Sequence, residues 1–433
     1  MRAVGRPRSS PSWLAAGAAF SGGCTYVLLV VTARAVGPAA YGRFSLFWAA
    51  IVITSLGLFL PVEQVIARRS ARSDSSPAAL TGLLRSGLRR GAVLAGLAVV
   101  VYSALLLVRW GTEAGVLAVL LAFAVASAGF VAQFPARGVL GGRIALREYA
   151  AVIAVDAGLR AIAAVSLWLA GVTAVAAYAT AVGLSSLACG LVGIALVRRC
   201  AWQDVAGGAT AGGAAPPAVA PQRIGREELT GTVTAALSMQ LLLNSAIVVA
   251  GLVGTGPDAV LAGHLLAVIM LARLPVFVFQ AGQAAYVGRV ATRAHAGDLV
   301  GLRRLLGRLA ALVAAVACLT VVGAAVVGPQ AVRLVFGAEY DISRGAATLV
   351  ALGVAAYLVA SVSNDVAVAL GEHLRLGLAW ATGIASACLV AALVPDLVLR
   401  ATLPLLVGSV VAAAVLLPAV RHRADLGSRP WRA

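Results

Sequence analysis

Apolar stretches of about 20 residues recur from Trp13 to Val420, and nearly all the arginines fall in every second gap between them. About 20 apolar residues in a helix cross the ~30 Å hydrocarbon core of a bilayer. Only helices and closed barrels satisfy every backbone polar group in that medium. The stretches are too long and too continuous for barrel strands. The spacing therefore predicts an all-α polytopic membrane protein.

Twelve spans are predicted, at about 12–32, 44–67, 91–108, 115–134, 149–170, 173–197, 230–253, 259–280, 308–328, 345–367, 376–394 and 401–420. Positive residues are retained on the cytoplasmic side. With the N-terminus inside, the outer gaps hold only Arg34, Arg43, Arg109, Arg333, Arg344 and Arg400. The inner gaps hold most of the remainder, including Arg137, Arg143 and Arg147. Both termini are expected in the cytoplasm, and the protein in the plasma membrane.

Composition removes several classes of function. Of 433 residues, 61% are hydrophobic and 12% charged, far below the charge of a soluble chain. All 34 basic residues are arginine. Without lysine there is no Walker A lysine and no Schiff base. Cys24, Cys189, Cys200, Cys318 and Cys388 show no C-x-x-C spacing, and the four histidines are isolated. No metal or cofactor is expected. The formal charge of +18 follows from topology, so a nucleic-acid partner is not expected.

The longest inner gap, from Arg198 to Glu228, contains an uncharged Ala/Gly/Pro-rich run, Gly207 to Pro221. That is linker composition. The expected organisation is a six-helix lobe at 1–198, a linker at 199–228, a second six-helix lobe at 229–421 and a tail at 422–433. The lobes read as diverged copies at a fixed offset of 219. Gly37-Pro38 aligns with Gly256-Pro257, and Gln64 with Gln283. Leu80, Leu83, Arg85 and Arg89 align with Leu299, Leu302, Arg304 and Arg308. Both copies start inside, so the repeat is parallel, with its pseudo-two-fold along the membrane normal.

The aligned inner segments share an amphipathic pattern. Ser76 can cap a helix with Pro77 at its first position, and Asp298 can cap its counterpart. Leucines line one face of each, and arginines flank them. Basic amphipathic helices lie on anionic lipid. Each can anchor the next span or recruit a substrate.

Charges inside spans are few and costly, and they usually face a cavity or a partner. Asp156 and Arg160 stand at i, i+4, near enough to pair. They are either a self-neutralised pair packed between helices or a cavity cation tuned by its neighbour. Arg273 precedes Pro275, which removes a backbone donor and permits a kink. Gln240 and Asn244, also at i, i+4, suit interhelical hydrogen bonding or recognition of sugar hydroxyls. Glu63 and Gln64 in the second span and Asp365 in the tenth lie near inner ends. They are candidates for gating or coupling.

The first outer gap reads Ala33-Arg34-Ala35-Val36-Gly37-Pro38-Ala39-Ala40-Tyr41-Gly42-Arg43-Phe44. This turn resembles that of the polysaccharide biosynthesis proteins, the oligosaccharide flippase branch of the MOP (MATE-like) superfamily. Ala272-Arg273-Leu274-Pro275 is similar to the family's Arg-x-Pro segment. Phe59-Leu60-Pro61-Val62-Glu63-Gln64 is similar to its second-helix end. Val335-Phe336-Gly337-Ala338-Glu339-Tyr340 is similar to its outer Phe-Gly-x-x-Tyr turn.

The resemblance implies two six-helix lobes around a cavity that alternates between faces. It implies a lipid-linked glycan as substrate, on an undecaprenyl-pyrophosphate carrier, turned from the inner to the outer leaflet. Arg160 and Arg273 would place one cation in each lobe for its headgroup. Anionic membrane lipids and other polysaccharide-assembly proteins are the expected partners. Two other functions remain open. A drug/cation antiporter of the multidrug kind shares the fold, but usually wants a deep carboxylate, and the first span has none. A membrane enzyme acting on lipid-linked sugars usually has a large outer loop. The longest here, Gly328 to Arg344, is short, and no nucleophile–base set appears.

Overall fold

The computed structural model describes residues 12–72, 77–208, 226–254, 259–370 and 373–426. Among them there is no strand. The elements are α1 (Ser12–Val52), a π-helical turn (Ile53–Phe59), α2 (Leu60–Arg72), α3 (Pro77–Trp110), α4 (Ala114–Gly142), α5 (Leu146–Leu169), α6 (Val175–Gly208) and α7 (Arg226–Val253). They continue as α8 (Ala259–Ala272), α9 (Leu274–His295), α10 (Leu299–Phe336), α11 (Arg344–Ala369), α12 (His373–Leu393) and α13 (Leu397–Leu426).

Ten helical stretches are long and apolar enough to cross a membrane. The first, Trp13–Ala71, is two passages, because Gly37 breaks it at φ 75, ψ 167. A side chain strongly disfavours that backbone conformation. Pro38 follows with φ preset for the first turn of a new helix. The outer gap expected over 33–43 is thus one residue, and both flanks are helical. A further passage is made by α8 and α9 in series. They part at Arg273, where Pro275 has no N–H for the carbonyl one turn back. The described residues therefore form twelve passages of an all-α polytopic membrane fold.

The helices overrun the apolar stretches. α3 starts at Pro77 and α10 at Leu299, so the amphipathic segments are the first turns of the spanning helices themselves. Asp298 caps α10, accepting from the Gly301 N–H at 2.8 Å. Ser76, Gly256-Pro257, the segment 209–225 and the tail from 427 lie outside the described residues.

The chain forms two compact units. The first comprises 1–36 and 50–237, and the second 37–49 and 238–433. Small residues carry the closest packing in the first. A Cβ on Gly129 would stand 2.4 Å from the Ser186 carbonyl carbon, and one on Gly183 2.6 Å from the Ala122 oxygen. α4 and α6 therefore touch backbone to backbone, as small residues allow in membranes. In the second unit Gly383 and Gly408 bring α12 and α13 equally close.

Each unit has an apolar core of its own. In the first, Val62, Val65 and Ile66 of α2 meet Leu80 and Leu84 of α3, Val139 of α4 and Val152 of α5. In the second, Val290 of α9 meets Leu302 of α10, Val366 of α11 and Leu376 of α12.

Candidate functional site

In the first unit, α2, α4, α5 and α6 converge on a polar network buried in apolar surroundings. Arg137 on α4 lies 3.0 Å from Glu63 Oε2 on α2. The Tyr149 hydroxyl on α5 donates to Glu63 Oε1 at 2.6 Å, and Arg137 donates to the Tyr149 oxygen at 3.1 Å. The Arg137 guanidinium also lies over the Phe134 ring, 4.7 Å from its centroid. One helical turn before Arg137 on the same α4 face, Gln133 donates to Asp156 at 3.3 Å. Asp156 pairs with Arg160 at 2.8 Å within α5, and Arg160 donates to Ser186 Oγ on α6 at 2.7 Å. Gln133 and Arg137, one turn apart on α4, thus bring two ion pairs, held by four helices, close together.

The net charge of this network is zero, as burial in low dielectric demands. Its hydrogen bonding is incomplete. Arg137 Nε, Arg160 Nε, Asp156 Oδ1 and Gln133 Oε1 are buried without a partner among the described residues. The predicted Asp156–Arg160 pair is formed. Arg137, assigned from sequence to an inner gap, is instead inside the fold. The apolar run stops near residue 134, but α4 continues to Gly142. Gly138 and Gly142, packed on α2, were the available signal. Tyr149 lies seven residues before Asp156, on the same face of α5.

In the second unit the corresponding region holds Asp365 of α11. The Tyr286 hydroxyl of α9 donates to Asp365 Oδ2, and Asn364 donates to Oδ1 at 3.4 Å. Gln283 also donates to Asp365. Trp380 Nε1 of α12 donates to Asn364 at 2.9 Å. The aligned pair Gln64 and Gln283 therefore diverge. Both are exposed, but Gln283 donates to the Asp365 carboxylate on another helix, whereas Gln64 follows the buried Glu63 on its own helix. Arg273, at the break between α8 and α9, is 4% exposed and interacts electrostatically with Tyr357 of α11. Gln240 and Asn244 are buried on α7, and Asn244 donates to the Gln240 carbonyl at 2.8 Å. Gln240 Oε1 and Asn244 Oδ1 have no partner among the described residues.

Also in the second unit, two turns far apart in sequence meet. Tyr41 is fully buried, 5.7 Å ring to ring from Tyr340 and 6.4 Å from Phe336. Phe44 stacks on Tyr41 at 5.8 Å, and His264 meets Tyr340 edge-on at 5.7 Å. A Cβ on Gly37 would lie 3.7 Å from the Glu339 carboxylate. Burial, and then the Glu339 charge, push the Tyr340 hydroxyl far above the usual phenol range, so it stays neutral.

The chain resembles solved structures over nearly its whole length. It matches an inward-facing multidrug resistance MATE family transporter of the MOP superfamily with a TM-score of 0.66. Identity is 16%, over 92% of this chain and 94% of that one. An outward-facing transporter of the same description matches with a TM-score of 0.62 and 15% identity, over 97% and 96%. A MOP superfamily transporter from Pyrococcus furiosus, described as having a binding pocket of reverse polarity that suggests a different function, matches at 0.63. Its identity is 15%, over 98% of both chains. No protein-family model matches the chain, and no curated protein matches it by sequence. The fold is therefore MATE-like, and at these identities the likeness concerns the fold alone.

Proposed function

We propose that the chain is a membrane transporter working by alternating access, and that its cargo is an anionic lipid-linked oligosaccharide. The carrier would be undecaprenyl pyrophosphate, turned from the inner to the outer leaflet. The observation that carries this reading is the cluster of Tyr41, Phe44, Phe336 and Tyr340. It unites the Gly-Pro-x-x-Tyr-Gly-x-Phe and Phe-Gly-x-x-Tyr turns on which the resemblance to oligosaccharide flippases rests. On a MATE-like fold, that supports the flippase branch.

In this reading Arg160 in the first unit and Arg273 in the second are each a candidate cation for the cargo's pyrophosphate, whose oxygens suit forked guanidinium hydrogen bonds. At Arg160 the phosphate takes the place of Asp156. The orphan oxygens of Gln240 and Asn244 accept from sugar hydroxyls. Pro275 gives the eighth passage its bend. Asp365, held by neutral donors, is the better coupling candidate, because Glu63 already has Arg137 as counterion. The polyprenyl tail stays in lipid, and no covalent step is required.

The fold neighbours support a second reading, a MATE-type drug or cation antiporter. Against it, the first passage carries no carboxylate. Deleting the gene and assaying lipid-linked oligosaccharide in inverted and right-side-out vesicles tests both. Accumulation on the cytoplasmic leaflet with loss of surface glycan is the expected result. An unchanged pool with lost efflux of a drug or cation would favour the antiporter.

A further inference from the structure

The first turns of α3 and α10 carry the same arrangement of charge at the same register. Leu83 is buried in the first unit, and its aligned partner Leu302 in the second. Away from these leucine faces stand Arg85 and Arg89 on α3, and Arg304 and Arg308 on α10, all four exposed. The offset is 219 in both cases. Each pair is i, i+4, so the two guanidinium stems rise about 5–6 Å apart on one face.

Like charges at that spacing oppose each other and cost helix stability. Neighbouring arginines are provided for: Arg90 and Arg303 each have an interaction partner, and Arg293 of α9 donates to the Gly301 carbonyl. Arg85, Arg89, Arg304 and Arg308 have no ion-pair or hydrogen-bond partner among the described residues. Topology alone asks for positive charge near this end of the helix. Arg198, Arg199 and Arg289 likewise have no partner among the described residues, and what sets these four apart is that they recur as i, i+4 pairs at the same offset in both copies.

We infer that Arg85/Arg89 and Arg304/Arg308 are two equivalent lipid-phosphate sites, one in each unit. Two forks at this separation bracket a phosphate group or a diphosphate, and each fork can donate two parallel hydrogen bonds. The leucine face anchors each ridge to its core, so the guanidiniums are held beside the bilayer rather than on a loose loop. The headgroup is a phosphate ester in the adjoining leaflet. It can belong to a bulk anionic phospholipid or to a lipid-linked diphosphate. The site itself needs only a membrane-embedded chain, and only the second source rests on the flippase reading.

The test uses the full-length protein in phosphatidylcholine nanodiscs doped with either phosphatidylglycerol or a polyprenyl diphosphate, with native mass spectrometry of retained lipid. The variants are R85Q/R89Q, R304Q/R308Q and their combination. A control, R43Q/R344Q, removes two exposed arginines elsewhere. Thermal unfolding of each variant in detergent checks that it is folded, and Arg→Lys replacements keep the charge while removing the fork. Retention of at least one phosphate lipid should fall by about tenfold or more in the combined variant. The control should match wild type, and the lysine variants should fall between. Loss of both lipids together assigns a general lipid-phosphate site. Loss confined to the diphosphate assigns cargo recruitment, and loss confined to phosphatidylglycerol assigns an annular site. Equal retention in the combined variant and the control overturns the inference, whatever the outcome of the flipping assay.

Discussion

Tyr149 and Arg137 share one carboxylate: the tyrosine hydroxyl donates to Glu63 Oε1 at 2.6 Å while the guanidinium stands 3.0 Å from Oε2. Three helices, α2, α4 and α5, are tied at that point. Removing one member of a buried ion pair strands the other charge, at about 3–5 kcal/mol. Glu63→Ala should therefore lower stability in detergent sharply. Glu63→Gln combined with Arg137→Gln should recover most of the loss, because neither charge is then left alone. A double variant whose loss equals the sum of the two single losses would mean that the pair does not act as a unit.

The α4–α6 contact gives a sharper contrast. Gly129→Leu would drive a side chain into the Ser186–Leu187 backbone, and the first unit should fail to fold. Gly96, on α3, has nothing within 4 Å of its missing Cβ. Gly96→Ala should be neutral or stabilising by up to about 1 kcal/mol, since alanine is the better helix former. Expression and size-exclusion profiles in detergent distinguish the two, and a monodisperse Gly129→Leu protein would refute the close approach.

Tyr41 fills the middle of the aromatic cluster. Tyr41→Ala should cost about 3 kcal/mol or more, as large-to-small core changes do. Tyr41→Phe should cost little, because the hydroxyl has no hydrogen-bond partner among the described residues. A Tyr41→Phe loss as large as that of Tyr41→Ala, in thermal unfolding, would place the stabilisation in the hydroxyl instead.

If the proposed flippase reading holds, Arg160→Gln and Arg273→Gln bear on transport. Each variant should still insert, yet surface glycan should fall to background. Topology is checked by cysteine accessibility and glycan by extraction. Wild-type glycan in both single variants and in the double would remove these two cations from cargo binding. Arg160→Gln also leaves Asp156 without its counterion, so Asp156→Asn with Arg160→Gln separates a stability loss from a transport loss.

The passages were legible because hydropathy reports directly on the hydrocarbon core. Helix ends were not, because hydropathy is silent once a helix leaves that core. α4 runs on past residue 134 to Gly142 and carries Arg137 with it. The Asp156–Arg160 pair was visible because both partners lie on one helix, and the i, i+4 rule needs only local spacing. Glu63 with Arg137, and Tyr286 with Asp365, join residues at sequence separations of 74 and 79. No local rule reaches that far. The break at Arg273 was signalled by Pro275. The π-helical turn at Ile53–Phe59 contains Thr54, Ser55 and Gly57, weak helix formers that a hydropathy reading passes over.

α10 has 38 residues, and only 6% of its most apolar window is covered by the rest of the molecule. At 1.5 Å per residue it is about 57 Å long, well beyond the ~30 Å hydrocarbon core. Acyl chains are therefore the principal neighbours of that apolar window. Bilayer thickness and tail saturation set its surroundings in the way that side-chain chemistry sets those of α11. A shift in the host's lipid composition, with growth temperature for instance, acts on this helix as a set of substitutions would, though no codon has changed.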